Sequence, residues 1–215
     1  MTVDAKICGL STPETVDAAV RFGARFVGFV TYPKSPRHIS TETMRSLGQR
    51  VPKTVTRVGL FVDSDDALLD EKIGTGALDL LQLHGSETPE RVAAIRRRTG
   101  LPVMKVIKVA AADDVVRGVA AYASVADRLM FEGAEGALPG GNAKTFDWTF
   151  LAGHALKGMG PLPWMLAGGL TPANVAEAVR VTGARLVDVS SGVESSRGVK
   201  SVDLIRAFLD AVKAL

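Results

Sequence analysis

Eight short runs of β-branched and aliphatic residues recur along the chain, separated by longer stretches whose apolar residues fall three and four apart. The runs are residues 5–8, 25–30, 54–62, 78–83, 103–109, 128–132, 164–167 and 185–190. Several, such as Val27-Gly28-Phe29-Val30 and Val58-Gly59-Leu60-Phe61, are apolar at consecutive positions. A strand covered on both faces reads that way, which is the situation of a parallel sheet packed under helices. The intervening segments carry helix punctuation. Residues 13–22 follow Ser11 and Thr12, open on Pro13 and stop at Gly23; residues 88–98 repeat the grammar with Thr88, Pro89 and Gly100; residues 171–181 repeat it with Thr171, Pro172 and Gly183. Ser/Thr caps, a proline in the first turn and a glycine past the end are the start and stop signals of helices. A last helical pattern spans 201–215. Eight β/α units predict an α/β protein with a closed (β/α)₈ barrel, a TIM barrel, as one domain over residues 1–215. A flavodoxin-like open sheet is the competing arrangement.

Composition removes several function classes. The net charge is +3, from 26 basic and 23 acidic residues, with no basic stripe of the kind that marks a nucleic-acid binder. Cys8 is the only cysteine, so no intramolecular disulfide can form, which suits a reducing cytoplasm. No stretch of about 18 apolar residues predicts a membrane span, and the first ten residues do not read as a secretory leader. The three histidines lack metal-ligand spacing, so no metal is expected.

In a (β/α)₈ barrel the reactive groups sit just past the carboxyl ends of the strands. Here those positions hold Cys8-Gly9, 31–37, Asp63, His84-Gly85, 105–108, Glu132, Gly168-Gly169 and Ser190-Ser191-Gly192. The last two groups follow the seventh and eighth strands, the usual phosphate site of such barrels. Glycines admit backbone N–H groups to an anion, and a following helix N-terminus adds partial positive charge; tight turns alone would also explain them. A third glycine element, Gly140-Gly141-Asn142-Ala143, follows the sixth strand and leads to Phe146 and Trp148. Lys6 and Cys8 share one face of the first strand on period-2 grounds. The thiol, with an ordinary pKa of about 8.5, is a usable base if nearby cations favour the thiolate. Lys6 then either assists it or is solvated at the barrel mouth. Arg37 lies in the polar loop Thr31-Tyr32-Pro33-Lys34-Ser35-Pro36-Arg37-His38 and either faces water or grips a carboxylate. His84 reads as a supporting polar residue, while His38 and His154 read as surface or packing residues.

These residues carry a resemblance. Lys6-Ile7-Cys8-Gly9, Tyr32-Pro33-Lys34-Ser35-Pro36-Arg37, Leu81-Gln82-Leu83-His84-Gly85, Phe146-Asp147-Trp148, Ala167-Gly168-Gly169-Leu170 and Asp188-Val189-Ser190-Ser191-Gly192-Val193-Glu194 stand in order and at the right spacing. Together they resemble the phosphoribosylanthranilate isomerase family essentially end to end. The resemblance implies a (β/α)₈ barrel, a monomer or homodimer, acting in tryptophan biosynthesis on a small phosphorylated aminoaldose. It implies an Amadori rearrangement with no external cofactor, since the substrate nitrogen serves as electron sink. Cys8 would be the general base and Arg37 would hold the anthranilate carboxylate. Gly141, Asn142, Gly168, Gly169, Ser190, Ser191 and Gly192 would surround the phosphate, with Lys6, His84 and Asp188 in support.

The chain departs from the family at the general acid. The position of the family's aspartate holds Glu132, within Phe131-Glu132-Gly133-Ala134-Glu135; a lysine common nearby is absent, and a loop glycine is Ala143. Aspartate and glutamate have similar intrinsic pKa values, about 3.9 and 4.3, so Glu132 is expected to serve as the acid, with its pKa raised toward neutrality. Two other functions compete: an aminoaldose isomerase of the histidine pathway, which uses a carboxylate base where this chain has Cys8, and a barrel that binds phosphorylated ligands without turnover.

Overall fold

The computed structural model describes residues 2–134, 146–151, 156 and 159–215. The elements run β1 (Asp4–Cys8), α1 (Pro13–Arg21), β2 (Phe26–Val30), α2 (Thr41–Gly48), β3 (Thr56–Phe61), α3 (Asp66–Ile73), β4 (Leu80–Leu83), α4 (Pro89–Thr99), β5 (Val103–Val109), α5 (Ala112–Tyr122) and β6 (Arg128–Gly133). A short 3-10 turn (Trp148–Leu151) precedes β7 (Trp164–Leu166), α6 (Val175–Thr182) and β8 (Leu186–Val189). A hairpin of β9 (Glu194–Ser196) and β10 (Val199–Lys200) then leads into α7 (Val202–Lys213). Strands β1 to β8 pair in sequence order, and β8 returns to β1, closing the barrel. The open-sheet alternative is therefore excluded.

The local chemistry explains most boundaries. Thr12 and Thr88 each accept a hydrogen bond from the N–H three residues on, and Gly100 ends α4 in the left-handed conformation. Ser201 caps α7 in the same way. One expected boundary moves. Thr171 does not cap α6, which starts at Val175. The Asn174 side chain accepts from the Thr171 N–H and donates to the Gly169 carbonyl, at 2.8 and 2.9 Å. That local bonding gives residues 171–174 an alternative to the helix, and it ties the start of α6 to the glycine loop after β7.

The apolar residues fall in two layers. Between strands and helices lies the larger, with Ile7, Phe29, Phe61, Leu81, Leu129 and Phe208 among its buried members. Inside the barrel lies the smaller, built from Phe26, Val58, Leu80, Met104, Val106, Met130, Met165 and Ala167. Strand alternation assigns residues to one or the other: Met104 and Val106 of β5 point inward, and so does the next residue of that phase, Lys108. The inner layer plugs the floor, so only the carboxyl ends of the strands are open to a ligand. Among the described residues no helix is long and apolar enough to cross a membrane.

The loops after β7 and β8 are packed against each other through a glycine. A Cβ added to Gly192 would lie 1.9 Å from the Leu170 carbonyl oxygen, a backbone atom that cannot swing aside. Gly192→Ala is expected to destabilise the fold by roughly 2 kcal/mol or more, an overpacking cost, read as a lower urea midpoint with an unchanged m value; an unshifted midpoint would show that the two loops move apart freely.

Candidate active site

At the carboxyl end of the barrel is a cavity of about 400 Å³, counted to its open mouth. It is lined by Cys8, Val30, Tyr32, Ser35, Arg37, Leu60, Gln82, His84, Glu132, Asp188 and Ser190. Six residues of the sequence expectation meet here: Cys8, Arg37, His84, Glu132, Asp188 and Ser190.

On the β1 side, Lys6 is fully buried and its ammonium donates to Asp188 Oδ1 at 2.7 Å. Of the two readings left open by the sequence, solvation at the mouth is thus excluded. Parallel pairing of β1 with β8 sets Lys6 directly against Asp188. On the other side, β2 makes room: a Cβ on Gly28 would come within 3.0 Å of both Cys8 Sγ and Lys6 Nζ. Burial would strip Lys6 of its charge, but the Asp188 carboxylate and the neighbouring thiol outweigh it and hold Lys6 above the ordinary lysine value. Cys8 moves the other way from expectation. Burial pushes the thiol up and the Asp188 charge adds to it, against a smaller opposite pull from Lys6 and Lys200. The cations are in place, but Lys6 shares its charge with Asp188, and the balance favours the thiol form.

Glu132 ends β6 and is buried, with Oε2 bonded to His84 Nε2 at 2.8 Å and to the Lys108 ammonium. Lys108 lies opposite it in the β5–β6 register and also contacts His84 Nε2 at 2.9 Å. The Gln82 amide reaches His84 Nδ1 at 3.1 Å from behind. Burial alone would raise the carboxyl, but His84 and Lys108 overcome it and bring Glu132 down to about 2. This corrects the expectation of a raised pKa: Glu132 is a carboxylate, held charged by His84 and Lys108. His84 is thus a direct partner of Glu132. Lys108 stands among the strand-end positions of the sequence expectation but received no role there, although the inward phase of Met104 and Val106 points to it.

Arg37 is buried by the hairpin that follows β8. Its Nε and Nη2 donate to the two oxygens of Glu194 at 2.6 and 2.8 Å. Lys200 donates to Glu194 Oε1 at 2.7 Å and to the Ser190 carbonyl at 2.8 Å, and Ser190 Oγ donates to the Cys8 carbonyl at 3.2 Å. Burial opposes ionisation of Glu194, yet Arg37 and Lys200 bring it to about 2. Burial in turn lowers Lys200 despite Glu194. Nothing in local sequence periodicity marks Lys200 as part of the site, because only the hairpin register returns it to Glu194.

Gly168 and Gly169 both take positive φ, +91° and +67°, a conformation that favours glycine. A Cβ on Gly168 would press on the Gly133 nitrogen and Glu132 Cγ, so the β7 loop lies against the strand-six carboxylate. The N–H groups of Gly168, Gly169, Ser191 and Gly192 donate to no backbone acceptor among the described residues. Two adjacent loops whose N–H groups have no backbone acceptor among the described residues form a surface that an anion can fill. Gly141, Asn142, Ala143, Glu135 and His154 lie outside the described residues. Phe146 and Trp148 pack against the outer core, and His38 is exposed. No cluster of three His, Cys, Asp or Glu side chains suited to a metal ion is present among the described residues.

A family model described as N-(5'phosphoribosyl)anthranilate (PRA) isomerase matches residues 5–211. The chain belongs to this family. It is similar to the N-(5'-phosphoribosyl)anthranilate isomerase of Paramagnetospirillum magneticum, 54% identical over 99% of this chain and 98% of that protein. Among solved structures it resembles phosphoribosyl anthranilate isomerase from Thermotoga maritima, with a TM-score of 0.89 and 34% identity over the whole of both chains. It also resembles a phosphoribosyl anthranilate isomerase in complex with reduced 1-(o-carboxyphenylamino)-1-deoxyribulose 5-phosphate, at a TM-score of 0.85 and 33% identity, again over both chains entire. Family membership thus agrees with the barrel read from the eight-fold strand pattern.

The two depressed glutamates set an acid limit on this family member. A glutamate unfolded at about 4.3 and folded near 2 contributes stability that is complete above the unfolded value and lost as pH falls through the folded one. Glu132 and Glu194 are both brought to about 2, so unfolding free energy is expected to fall between pH about 4.5 and 2, by on the order of 2–3 kcal/mol for each. Chemical denaturation across that window tests this, and Glu132→Gln should flatten the slope; an unaltered slope in the variant would place the linkage elsewhere.

Proposed function

We infer that this chain isomerises N-(5'-phosphoribosyl)anthranilate to 1-(2-carboxyphenylamino)-1-deoxyribulose 5-phosphate, the aldose-to-ketose step of tryptophan biosynthesis. Family membership carries the reaction class. For the residues, the observation that supports the reading is that Cys8 and Glu132, from β1 and β6, line one cavity together with Arg37 and Ser190. Arg37 offers a cation to a carboxylate, and Ser190 leads into the glycine loop that would take a phosphate.

The roles follow from where the protons are. Opening the furanose requires a proton on the ring oxygen as its bond to C1 breaks, while the nitrogen lone pair forms the iminium. Glu132 delivers that proton, drawing it from the Lys108 ammonium to which its Oε2 is bonded. A carboxylate bonded to an ammonium is a relay rather than a store. The Cys8 thiolate then takes the C2 proton, the electrons move to the iminium nitrogen, and the neutral enolamine tautomerises to the ketone. Cys8 enters this step as the thiolate, its own proton lost to solvent through the open mouth before the substrate binds; burial and Asp188 make that form the minority, and Lys6 beside it stabilises the charge. Arg37 holds the anthranilate carboxylate through N–H groups that Glu194 does not occupy. The N–H groups of Gly168, Gly169, Ser191 and Gly192, with Ser190 beside them, hold the phosphate, and Gly141 and Asn142 join them. Asp188 keeps Lys6 in place under the thiol. The substrate supplies its own electron sink, so no external cofactor enters this scheme.

The enzyme belongs in the cytoplasm, where a lone cysteine stays reduced, as a monomer or homodimer; the Thermotoga maritima relative is described as dimeric.

The direct test is to follow loss of substrate anthranilate fluorescence with purified protein. Each positioned acid or base contributes typically 10²–10⁴-fold, so Cys8→Ala should lower kcat by roughly that factor while leaving product-analogue affinity nearly intact. Wild-type turnover in this variant would remove the thiol from the mechanism. Glu132→Gln keeps size and breaks the relay, and is expected to cost kcat roughly 10²-fold or more; parent-like turnover would mean that the ring opens without it.

A further inference from the structure

The barrel is complete at β8, yet the chain adds the β9–β10 hairpin before its last helix, and that hairpin is built onto Arg37. Glu194 opens β9 and Lys200 ends β10, and the two are paired in register across the hairpin. The Gly198 N–H donates to Glu194 Oε2 at 3.0 Å. Gly198 itself has φ +86°, and a Cβ there would lie 3.1 Å from the Pro36 carbonyl oxygen, so the turn rests on the residue before Arg37. From the opposite side, a Cβ on Gly9 would meet Arg37 Cδ at 2.7 Å. The arginine stem is therefore clamped between the β1 end and the hairpin.

The bonding pattern at the guanidinium decides what is left for a ligand. Arginine carries five N–H donors in a rigid plane. Glu194 takes the side edge, Nε and one proton of Nη2. Among the described residues the end edge remains, one proton of Nη2 and both of Nη1, and it has the geometry for a second bidentate carboxylate. The charges agree. Lys6 is paired with Asp188, and Glu132 with Lys108. In the third cluster, Arg37 and Lys200 face a single carboxylate, with side chains only 8%, 1% and 4% exposed for Arg37, Lys200 and Glu194. One buried positive charge is left over, and burying an unbalanced charge is costly unless a counter-charge arrives.

We propose that Glu194, fixed by Lys200 and the Gly198 N–H, is a positioning residue for ligand specificity: it holds the Arg37 guanidinium side-on so that the end edge of Arg37 reads the aryl carboxylate of the substrate. The inference rests on the carboxylate-binding role of Arg37 and deepens it. Lys200 keeps the cluster cationic, so Glu194 orients Arg37 without neutralising its attraction for the ligand. Substitution at Glu194 thus acts on the carboxylate end of the ligand and leaves the phosphate end alone.

Calorimetric binding tests this without depending on turnover. The two ligands are the reduced aryl-carboxylate product analogue and its counterpart with a plain phenyl ring. Glu194→Gln is expected to weaken the carboxylate ligand by about tenfold or more, as orientation of a bidentate pair is lost, and the phenyl ligand by less than about twofold. Glu194→Asp, which keeps the charge but shortens the reach, should fall between. Equal losses for both ligands, or none for either, in variants that melt like the parent would overturn the proposal. Should Glu194→Gln not fold, Glu194→Asp decides it by the same two-ligand comparison. Arg37→Ala serves as the separate control: if it does not discriminate the ligands, the reading of Arg37 has failed rather than the role of Glu194.

Discussion

Closure of the sheet between β1 and β8 is the constraint on which the site depends. Asp4 to Ile7 run parallel to Leu186 to Val189, and this pairing alone joins the two ends of the chain's strand series. It sets Lys6 against Asp188 inside the barrel, and it leaves Cys8 beside Ser190 at the open end. A charged pair so deeply buried is expensive unless its geometry is good. Here the backbone ladder delivers that geometry, and the pair in turn fixes the environment of the thiol. Without closure, residues 182 positions apart would have no reason to meet.

The cavity is organised as three ionic clusters rather than as isolated reactive groups. Lys6 pairs with Asp188 beside Cys8, Glu132 with Lys108 and His84, and Glu194 with Arg37 and Lys200. Each places charge in a low-dielectric setting, where fixed dipoles and ions act strongly on a reacting molecule. The clusters share no side chain, but Lys200 couples two of them: it pairs with Glu194, bonds Ser190 and acts on the Cys8 thiol. The inner apolar layer beneath them, with Met104, Met130 and Met165, keeps water from below and confines chemistry to the mouth.

Glu132 shows how substitution in one residue is absorbed by its surroundings. The extra methylene relative to an aspartate is matched by a lysine in register on the neighbouring strand and a histidine on the strand beyond. The carboxylate is therefore not left as a misplaced acid. Its low pKa, set by His84 and Lys108, makes it a charged group rather than a carboxylic acid with a raised pKa.

What the sequence determined by itself was the barrel and the identity of most lining residues. Eight apolar runs, helix caps such as Thr12 and Thr88, and the glycines after β7 and β8 are local signals, and local physics suffices to read them. Strand alternation by itself puts Lys6 and Cys8 on one face. Tertiary structure alone decided the charge states and the partners. Whether Lys6 is buried, which carboxylate meets Arg37, and that Glu132 sits near 2 rather than toward neutrality all depend on groups brought together from distant strands. Lys200 is the extreme case, since the β9–β10 register, not periodicity, returns it to Glu194. Periodicity along one chain specifies which way a side chain points, whereas ionisation depends on what lies at the other end of that direction, and only closure of the barrel supplies it.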